Sequence, residues 1–252
     1  MISGSEEKYI RSIQQKKFRE LEKMFIAEGS KLVLDAMRHP EFVSQIVALP
    51  EWIDEHIPVI GSHPFLVKSV NEKTMAKISA LQTPSPVLAV LKTPDAIPAD
   101  NLSDQHFYFA LDGIRDPGNL GTIIRIADWF GFGGVFCSPD CVDAFNPKTV
   151  QASMGSILRV GVSEVSLISL FENNSSKPVI AAALEGENIF STQIYSGGIV
   201  LIGSEGSGIN EILNRFITKK VTIAGTEGAE SLNASVAAGI IASVLTRNTF
   251  TK

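Results

Sequence analysis

The sequence has few of the features that mark secreted, membrane-spanning or metal-binding proteins. It contains only two cysteines, Cys137 and Cys141, and its four histidines all precede them. Because these residues do not form the clustered ligand sets typical of zinc sites, we expect two reduced structural thiols and no bound metal. No apolar run reaches the roughly 18 residues of a membrane-spanning helix, and the first residues are polar rather than a basic cluster before an apolar stretch. These absences predict a cytoplasmic protein that has no membrane partner.

Positive charge is also scarce over the chain as a whole. With 22 Lys and Arg against 27 Asp and Glu, the formal net charge is −5, which argues against non-specific coating of nucleic acid, since phosphate binding needs clustered basic residues. One segment, residues 8–23, does cluster them: it holds Lys8, Arg11, Lys16, Lys17, Arg19 and Lys23 against Glu20 and Glu22. This segment is either the solvated face of an amphipathic helix or an RNA-binding surface, for which Lys16, Lys17 and Arg19 are the candidate contacts.

The distribution of apolar residues predicts two domains. With 44% hydrophobic residues, the chain has enough to bury one large core or two modest ones. The elements predicted in the first part are helices at 9–24, 30–38 and 71–81 and strands at 24–27, 45–48 and 87–91. Residues 92–100 are rich in proline and acidic residues, as in a linker. We therefore predict a small α/β domain over residues 1–95, a linker at 96–104 and a larger domain over 105–252.

In the larger domain, short apolar runs alternate with helical patterns. The runs lie at residues 107–111, 134–137, 157–162, 179–184, 199–202 and 221–224. Apolar strands of this length separated by helices predict a parallel sheet that is covered on both faces, which is a doubly wound α/β fold.

Three segments of the larger domain carry polar residues at places suited to chemistry. In the first, residues 116–125 read DPGNLGTIIR, a turn followed by the start of a helix. The apolar stripe of that helix excludes Arg125, so we expect Arg125 to be presented rather than buried against the sheet. On local grounds alone, Asn119 is an N-cap and Arg125 is an ion-pair partner of Asp128.

The second segment, residues 203–208, reads GSEGSG and directly follows a predicted strand. The spacing of Gly203, Gly206 and Gly208 does not fit the Gly-x-Gly-x-x-Gly of a dinucleotide-binding loop. This mismatch disfavours a nicotinamide-dependent oxidoreductase. On local grounds Glu205 is either a functional carboxylate or a solvated residue of a plain turn.

The third segment, residues 221–237, runs from a strand through a loop into a helix and reads VTIAGTEGAESLNASVA. A helix that starts in this way displays free backbone N–H groups, which suit a polar small molecule or an anion. Its polar positions include Ser231 and Asn233.

In this order and at these spacings, the three segments resemble the motifs of the SpoU (TrmH-like) branch of the SPOUT superfamily, which are S-adenosylmethionine-dependent RNA ribose 2′-O-methyltransferases. The resemblance implies a catalytic domain with a trefoil knot and S-adenosylmethionine as the cofactor. It implies a catalytic set of Asn119, Arg125, Glu205, Ser231 and Asn233, and cofactor contacts from Gly203, Ile223 and Leu232. The Pro-Met that follows the isoleucine in the family is absent here, so the strand side of the cofactor pocket departs from the family pattern.

The smaller domain resembles the L30e-like substrate-binding domain that precedes the catalytic domain in many of these enzymes. The resemblance rests on residues 25–29 and 87–90, while the usual Gln-Gly before the last strand is replaced by Ser85 and Pro86. The family resemblance as a whole implies an RNA substrate, either ribosomal or transfer RNA, and a homodimer in which two catalytic domains pair.

The roles of two motif residues can be argued from their chemistry. A guanidinium stays protonated, so Arg125 is better suited to stabilising a developing alkoxide or clamping a phosphate than to acting as a base. Glu205 has two possible roles, accepting the proton of the hydroxyl or orienting Arg125. The alternative function is a noncatalytic RNA-binding or ribosome-assembly factor on the same scaffold, although such a protein would have no reason to keep the polar motif residues.

Overall fold

The fold is taken from a computed structural model, which describes residues 2–61, 66–193, 195–226 and 231–248. The chain divides into two compact units: the first comprises Met1–Pro94 and Asp143–Leu158, and the second comprises Asp95–Val142 and Arg159–Lys252. In chain order the elements are α1 (Gly4–Ser12), α2 (Lys16–Glu22), β1 (Met24–Glu28), α3 (Ser30–Ala36), β2 (Val43–Ala48), α4 (Pro50–Ile60), β3 (Val67–Ser69), α5 (Glu72–Ile78), β4 (Val87–Lys92), β5 (Phe107–Asp112), α6 (Pro117–Trp129), β6 (Gly134–Cys137), α7 (Pro147–Ser153), β7 (Val162–Glu164), α8 (Leu167–Asn173), β8 (Val179–Asn188), β9 (Gly198–Gly203), β10 (Lys219–Thr222) and α9 (Ala234–Leu245), with 3-10 helices at Ser156–Leu158, Ile189–Ser191 and Glu211–Phe216.

The first unit is built on a four-stranded mixed sheet with the order β1-β4-β2-β3. Strand β4 is antiparallel to β1 and β2, and β3 is parallel to β2. Ile10 and Ile13 pack with Leu88 of β4 and Met75 of α5 in one buried cluster. Burial of these apolar side chains is the main term that stabilises the unit.

The basic segment of the first unit forms two helices, so the prediction of one continuous helix over residues 9–24 was wrong. Helix α1 ends at Ser12 and α2 begins at Lys16. The Arg19 guanidinium donates to the carbonyl oxygens of Ile13, at 3.1 Å, and of Gln14. It thereby satisfies carbonyls at the end of α1 that have no partner within the helix. The break is stable because a side chain replaces the lost backbone hydrogen bonds.

Residues 143–158 belong to the core of the first unit, although the sequence places them between strands of the second. Asp143 accepts hydrogen bonds from Arg19 Nε at 3.0 Å and from Arg19 Nη2 at 2.5 Å. The Phe145 ring lies 5.1 Å from the ring of Phe25 in β1. The domain prediction used continuous ranges and assigned this segment to the larger domain. Contacts made 124 residues apart in the chain, such as that of Arg19 with Asp143, bring it into the first unit.

The second unit contains a six-stranded sheet with the order β10-β8-β9-β5-β6-β7, and every neighbouring pair is parallel. This confirms the predicted α/β domain with a parallel sheet. In a parallel sheet the carboxyl ends of the strands lie at one edge, where ligands commonly bind. Strands β5, β9 and β10 end there at Asp112, Gly203 and Thr222. The trefoil knot stays a prediction.

Some element bounds in the second unit differ from those predicted. The apolar run 157–162 is mostly a 3-10 helix and a turn, and the strand β7 begins only at Val162. The last helix begins at Ala234, because Asn233 serves as its N-cap. Within the described ranges, no helix is long and apolar enough to cross a membrane.

Candidate active site

Three loops at the carboxyl edge of the parallel sheet bring together polar residues that lie far apart in the sequence. The side-chain amide of Asn119 donates to Glu205 Oε1 at 2.8 Å. The side-chain amide of Asn233 donates to the same oxygen at 2.7 Å and to Asn119 Oδ1 at 2.8 Å. These three side chains, here called the amide–carboxylate cluster, connect the first turn of α6, the loop that follows β9 and the start of α9.

The start of α9 holds one corner of this cluster in place. Asn233 Oδ1 caps the helix by accepting from the backbone N–H groups of Ser235 at 3.0 Å and Val236 at 3.3 Å. The N–H of Ala234 donates to Glu205 Oε1 at 3.3 Å. A carboxylate at a helix N-terminus is favoured by the free N–H groups and the helix dipole. The sequence of the loop and helix therefore fixes where the Glu205 carboxylate lies.

Helix α6 positions the buried corner of the cluster. Its N-cap is Asp116, whose Oδ1 accepts the backbone N–H of Asn119 at 2.8 Å. The purely local interpretation of Asn119 as an N-cap was therefore wrong, because Asp116 fills that role and the Asn119 side chain is directed to Glu205 instead. Asn119 is buried, so its amide contributes a fixed donor and a fixed acceptor.

A first cavity of about 410 Å³ lies beside the cluster, within the range usual for small-molecule sites. Four of the predicted site residues line it together with Glu205: Gly203, Ile223, Ser231 and Leu232. Apolar side chains from three strands also line it, those of Ala182 in β8, Ile202 in β9 and Val221 in β10. Residues 227–230, which continue the third segment, lie outside the described residues.

Glycine is required at the end of β9 and within the loop that follows it. A Cβ placed on Gly203 would lie 2.4 Å from the carbonyl carbon of Gly208. The chain returns over Gly203 because Ser204 and Gly208 exchange two backbone hydrogen bonds of 3.1 and 3.0 Å. Gly208 itself has a φ of +67°, which glycine adopts readily. The Gly-x-Glu-x-x-Gly pattern thus encodes a tight loop that projects Glu205.

A second cavity of about 460 Å³ lies on the other side of the same loop. Residues 204–207 line both cavities and form their common wall. The second cavity is lined by Asn119 and Glu205 and by two further carboxylates, Asp116 and Asp140. Sequence reasoning missed Asp140, for which no local pattern gave a signal. Ser138 Oγ orients this residue by donating to its Oδ1 at 2.5 Å.

The two cysteines, Cys137 and Cys141, are both buried and form no disulfide bond. Ile114, which lines the second cavity, donates its backbone N–H to Cys141 Sγ at 3.2 Å. A hydrogen bond with Cys137 is the main cause that lowers the pKa of the Cys141 thiol to about 7. Among the described residues, no group of three or more His, Cys, Asp or Glu side chains is arranged to hold a metal ion.

Arg125 lies apart from the cluster and lines neither cavity. It is exposed on α6, and six residues after Asn119 the helix has turned by roughly 240°. The ion pair expected with Asp128 is not observed among the residues that the structure describes, and Asp128 pairs with Arg159 at 2.7 Å. Asn119 and Arg125 therefore belong to the same motif, but their side chains leave α6 in different directions.

The three basic candidates for RNA binding differ in their exposure. Lys17 is exposed, and Lys16 is exposed in a 3.6 Å ion pair with Glu20. Arg19 is only 5% exposed and is ion-paired with Asp143. A phosphate contact from Arg19 would require that buried pair to break, which leaves the two lysines as the accessible candidates.

Comparison with known proteins gives a consistent result over nearly the whole chain. The model of the SpoU rRNA methylase family matches residues 106–243, and that of the MRM3-like substrate binding domain matches residues 6–89. The chain is 27% identical over 242 residues to the 23S rRNA (guanosine(2553)-2′-O)-methyltransferase RlmP of Bacillus subtilis, with 92% of each chain covered.

Two solved structures share both the fold and about a third of the sequence. A putative RNA methyltransferase of the TrmH family from Porphyromonas gingivalis is 31% identical with a TM-score of 0.85, over 98% of this chain and 99% of that one. An AdoMet-bound rRNA methyltransferase from Sinorhizobium meliloti is 30% identical with a TM-score of 0.86, over 100% of this chain and 97% of that one. The motif residues, the parallel sheet and these matches agree, and the chain belongs to the SpoU rRNA methylase family.

Proposed function

We propose that this protein transfers a methyl group from S-adenosylmethionine to a ribose 2′-hydroxyl of RNA. The observation that carries the proposal is the amide–carboxylate cluster of Asn119, Glu205 and Asn233, which stands at a wall shared by two cavities. With this arrangement a methyl donor can bind in one cavity and a methyl acceptor in the other, and both can contact the same group of polar side chains. The similarity to named rRNA methyltransferases supports ribosomal RNA as the substrate.

The first cavity fits S-adenosylmethionine. Its volume suits a ligand of this size, apolar side chains line much of it, and Gly203, Ile223, Ser231 and Leu232 are among its lining residues. We assign these four residues to cofactor binding. When bound, the cofactor supplies an electrophilic methyl group on a sulfonium, and the residues of this chain must then position a nucleophile and accept its proton.

The second cavity is assigned to the acceptor nucleoside. Three carboxylates line it, from Asp116, Asp140 and Glu205, against one guanidinium, that of Arg115. The excess of acceptors favours a ribose hydroxyl or a base edge that donates hydrogen bonds, while Arg115 can pair with a neighbouring phosphate. Glu205 Oε1 is occupied by the two amides, whereas Oε2 has no hydrogen-bond partner in the part of the chain that the structure describes. We therefore assign to Glu205 the role of accepting the hydroxyl proton, with Asn119 and Asn233 holding the carboxylate in place.

We assign Arg125 a role at the site of a second copy in a homodimer. Arg125 lies one turn before Trp129, which is 74% exposed, on the same face of α6. Helix α9 packs against α6 and has no charged residue, yet its Val236 is 49% exposed. An apolar helix face of this kind is normally covered. A dimer through α6 and α9 covers it and directs the guanidinium towards the partner, where it stabilises negative charge on the RNA.

Replacing Arg125 by alanine tests this role. Turnover is expected to fall by about 100- to 1,000-fold, because one charged stabiliser of the transition state is lost. Affinity for S-adenosylmethionine is expected to stay within a few-fold of the wild-type value, since Arg125 lines neither cavity of its own chain. Near wild-type turnover would contradict the assignment.

Mixing variants tests whether Arg125 acts across the dimer. An equimolar mixture of Arg125→Ala and Glu205→Gln chains is expected to recover about one quarter of the wild-type turnover, because half of the dimers are then mixed and each mixed dimer has one intact site. If Arg125 acts within its own chain, no mixed dimer has an intact site and turnover does not recover. A monomer that is active at micromolar concentration also contradicts the dimer.

The function itself is tested by binding and by mapping. Calorimetric titration with S-adenosylmethionine is expected to give saturable binding and titration with NADH to give none. Ribose methylation is then mapped in ribosomal and transfer RNA from cells with and without the gene, and the loss of one site in ribosomal RNA is expected. Binding without any lost methylation would favour the noncatalytic RNA-binding or assembly factor. The cytoplasmic location stays a prediction.

A further inference from the structure

The loop that carries Glu205 rests at both ends on a single residue, Asp112. This loop comprises residues 204–210, between β9 and the 3-10 helix Glu211–Phe216. At its start, Gly203 is the register partner of Asp112 where β5 and β9 pair. At its end, the backbone N–H of Asn210 donates to Asp112 Oδ2 at 2.6 Å. The backbone of Asp112 thus fixes one end of the loop and its carboxylate fixes the other.

Backbone hydrogen bonds within the loop fix the position of Glu205 relative to the two ends of the loop. Ser204 and Gly208 are joined by two backbone hydrogen bonds, so Glu205 lies in a closed ring of five residues. Only Ile209 separates this ring from Asn210. Asn210 also caps the following 3-10 helix by accepting the N–H of Ile212 at 3.2 Å. Ile209 packs against the buried core of the second unit, so the Asn210–Asp112 hydrogen bond is the polar attachment that adds to this packing at the end of the ring.

We propose that Asp112 is a positioning residue, which holds the loop and the Glu205 carboxylate in the geometry that methyl transfer requires. This inference rests on the proposed function of the site. Asp112 lines neither cavity, so its effect is indirect. Because residues 204–207 are the wall between the cavities, a displaced loop weakens cofactor binding and turnover together. Loss of Arg125, by contrast, is expected to affect turnover alone.

The environment of Asp112 makes its hydrogen bond with the Asn210 N–H depend on pH. Burial raises the pKa of its carboxyl group, the Asn210 N–H opposes this shift, and the nearby charge of Asp140 adds to it. Asp140 is the charged group that acts on it among the described residues. Protonation replaces a charge-assisted hydrogen bond by a neutral one, which is about half as strong. Activity is therefore expected to decline as the pH falls through the raised pKa of Asp112.

Two substitutions and one control test the proposal. Asp112→Ala removes the acceptor, and both affinity for S-adenosylmethionine and turnover are expected to fall by about 10- to 100-fold, as displacement of a catalytic group by about 1 Å does. Asp112→Asn keeps an oxygen acceptor without the charge, so it is expected to lie within about 3- to 5-fold of wild type. It is also expected to lose less affinity for S-adenosylmethionine at low pH than the wild-type protein does. Asp95→Asn, an exposed carboxylate of the same unit outside both cavities, is expected to match wild type.

The hydrogen bond can also be observed directly in the full-length protein. In a TROSY spectrum, the amide resonance of Asn210 is expected to shift with pH as Asp112 titrates, and to lose this titration in Asp112→Asn. This measurement does not depend on catalysis and decides the question if Asp112→Ala does not fold. A wild-type protein that binds no S-adenosylmethionine contradicts the proposed function but leaves this titration interpretable.

Three results would overturn the role of Asp112. The first is an Asp112→Ala protein with wild-type affinity and turnover. The second is an Asp112→Asn protein as impaired as Asp112→Ala, which would mean that the acceptor oxygen does not matter. The third is an Asn210 amide that is insensitive to the titration of Asp112 in the wild-type protein.

Discussion

Replacing Arg19 by alanine is expected to destabilise the first unit by about 3–5 kcal/mol. The guanidinium donates four hydrogen bonds, two to Asp143 and one each to the carbonyl oxygens of Ile13 and Gln14. Its removal leaves the mostly buried Asp143 carboxylate without its cation and leaves the end of α1 unsatisfied. The cost is therefore that of breaking a buried ion pair, which exceeds the value of a surface salt bridge several-fold.

Urea unfolding followed by tryptophan fluorescence measures this change. The protein has two tryptophans, Trp52 in the first unit and Trp129 in the second. In a Trp129→Phe background, the buried Trp52 reports on the first unit alone. With a slope of about 2 kcal/mol per M of urea, the midpoint is expected to fall by about 1.5–2.5 M. Lys17→Ala, on the same helix but exposed, is the matched control and is expected to leave the midpoint unchanged.

A double-mutant cycle separates the ion pair from the other contacts of Arg19. Once Asp143 is alanine, the further loss from Arg19→Ala is expected to be much smaller, because the pair is already broken. An Arg19→Ala protein with an unchanged urea midpoint and weakened RNA binding would refute this reasoning. That result would indicate that Arg19 contacts RNA, as the sequence alone predicted.

Two further predictions concern the cofactor loop and the basic helix. Gly203→Ala is expected to weaken binding of S-adenosylmethionine by at least about 10-fold, because the new Cβ would meet the backbone of Gly208 at 2.4 Å. Gly4→Ala, where a Cβ would meet nothing within 4 Å and which lines neither cavity, is the calorimetric control, and equal affinities for the two variants would contradict the steric argument. Replacing Lys16 and Lys17 together by alanine is expected to lower the slope of log RNA affinity against log salt by about 1.4–1.8, at about 0.7–0.9 per phosphate contact. An unchanged slope would make this helix an ordinary solvated surface.

The parts of the fold that follow from local patterns could be predicted from the sequence. Short apolar runs between helical patterns gave the parallel sheet, since the pattern of a buried strand is contained in four to six neighbouring residues. The resemblance of the three motifs to the SpoU family, rather than any local pattern, indicated Asn119, Glu205 and Asn233, and the structure joins these three by hydrogen bonds. Their catalytic roles stay predictions.

What the sequence could not give depends on contacts between distant segments. Asp116 and Asn119 are both good capping residues, and only the path of the backbone decides that Asp116 caps α6. The burial of Arg19 follows from its partner 124 residues away, whereas its local neighbours suggest a surface helix. Asp112 carries no motif at all, because its role is defined by a backbone N–H on another loop.

The placement of residues 143–158 in the first unit changes how this protein can be dissected. The polypeptide passes between the two units at three points, after Pro94, after Val142 and after Leu158. A fragment that begins near Asp104 keeps the motif-bearing loops, but it also keeps Asp143 and Phe145 without the partners that bury and neutralise them. No single cut separates the chain into two self-contained folding units. A chimera of two relatives joined at the linker would combine the Asp143–Leu158 segment of one protein with the N-terminal residues of the other. Because both belong to the first unit, they need to be exchanged together.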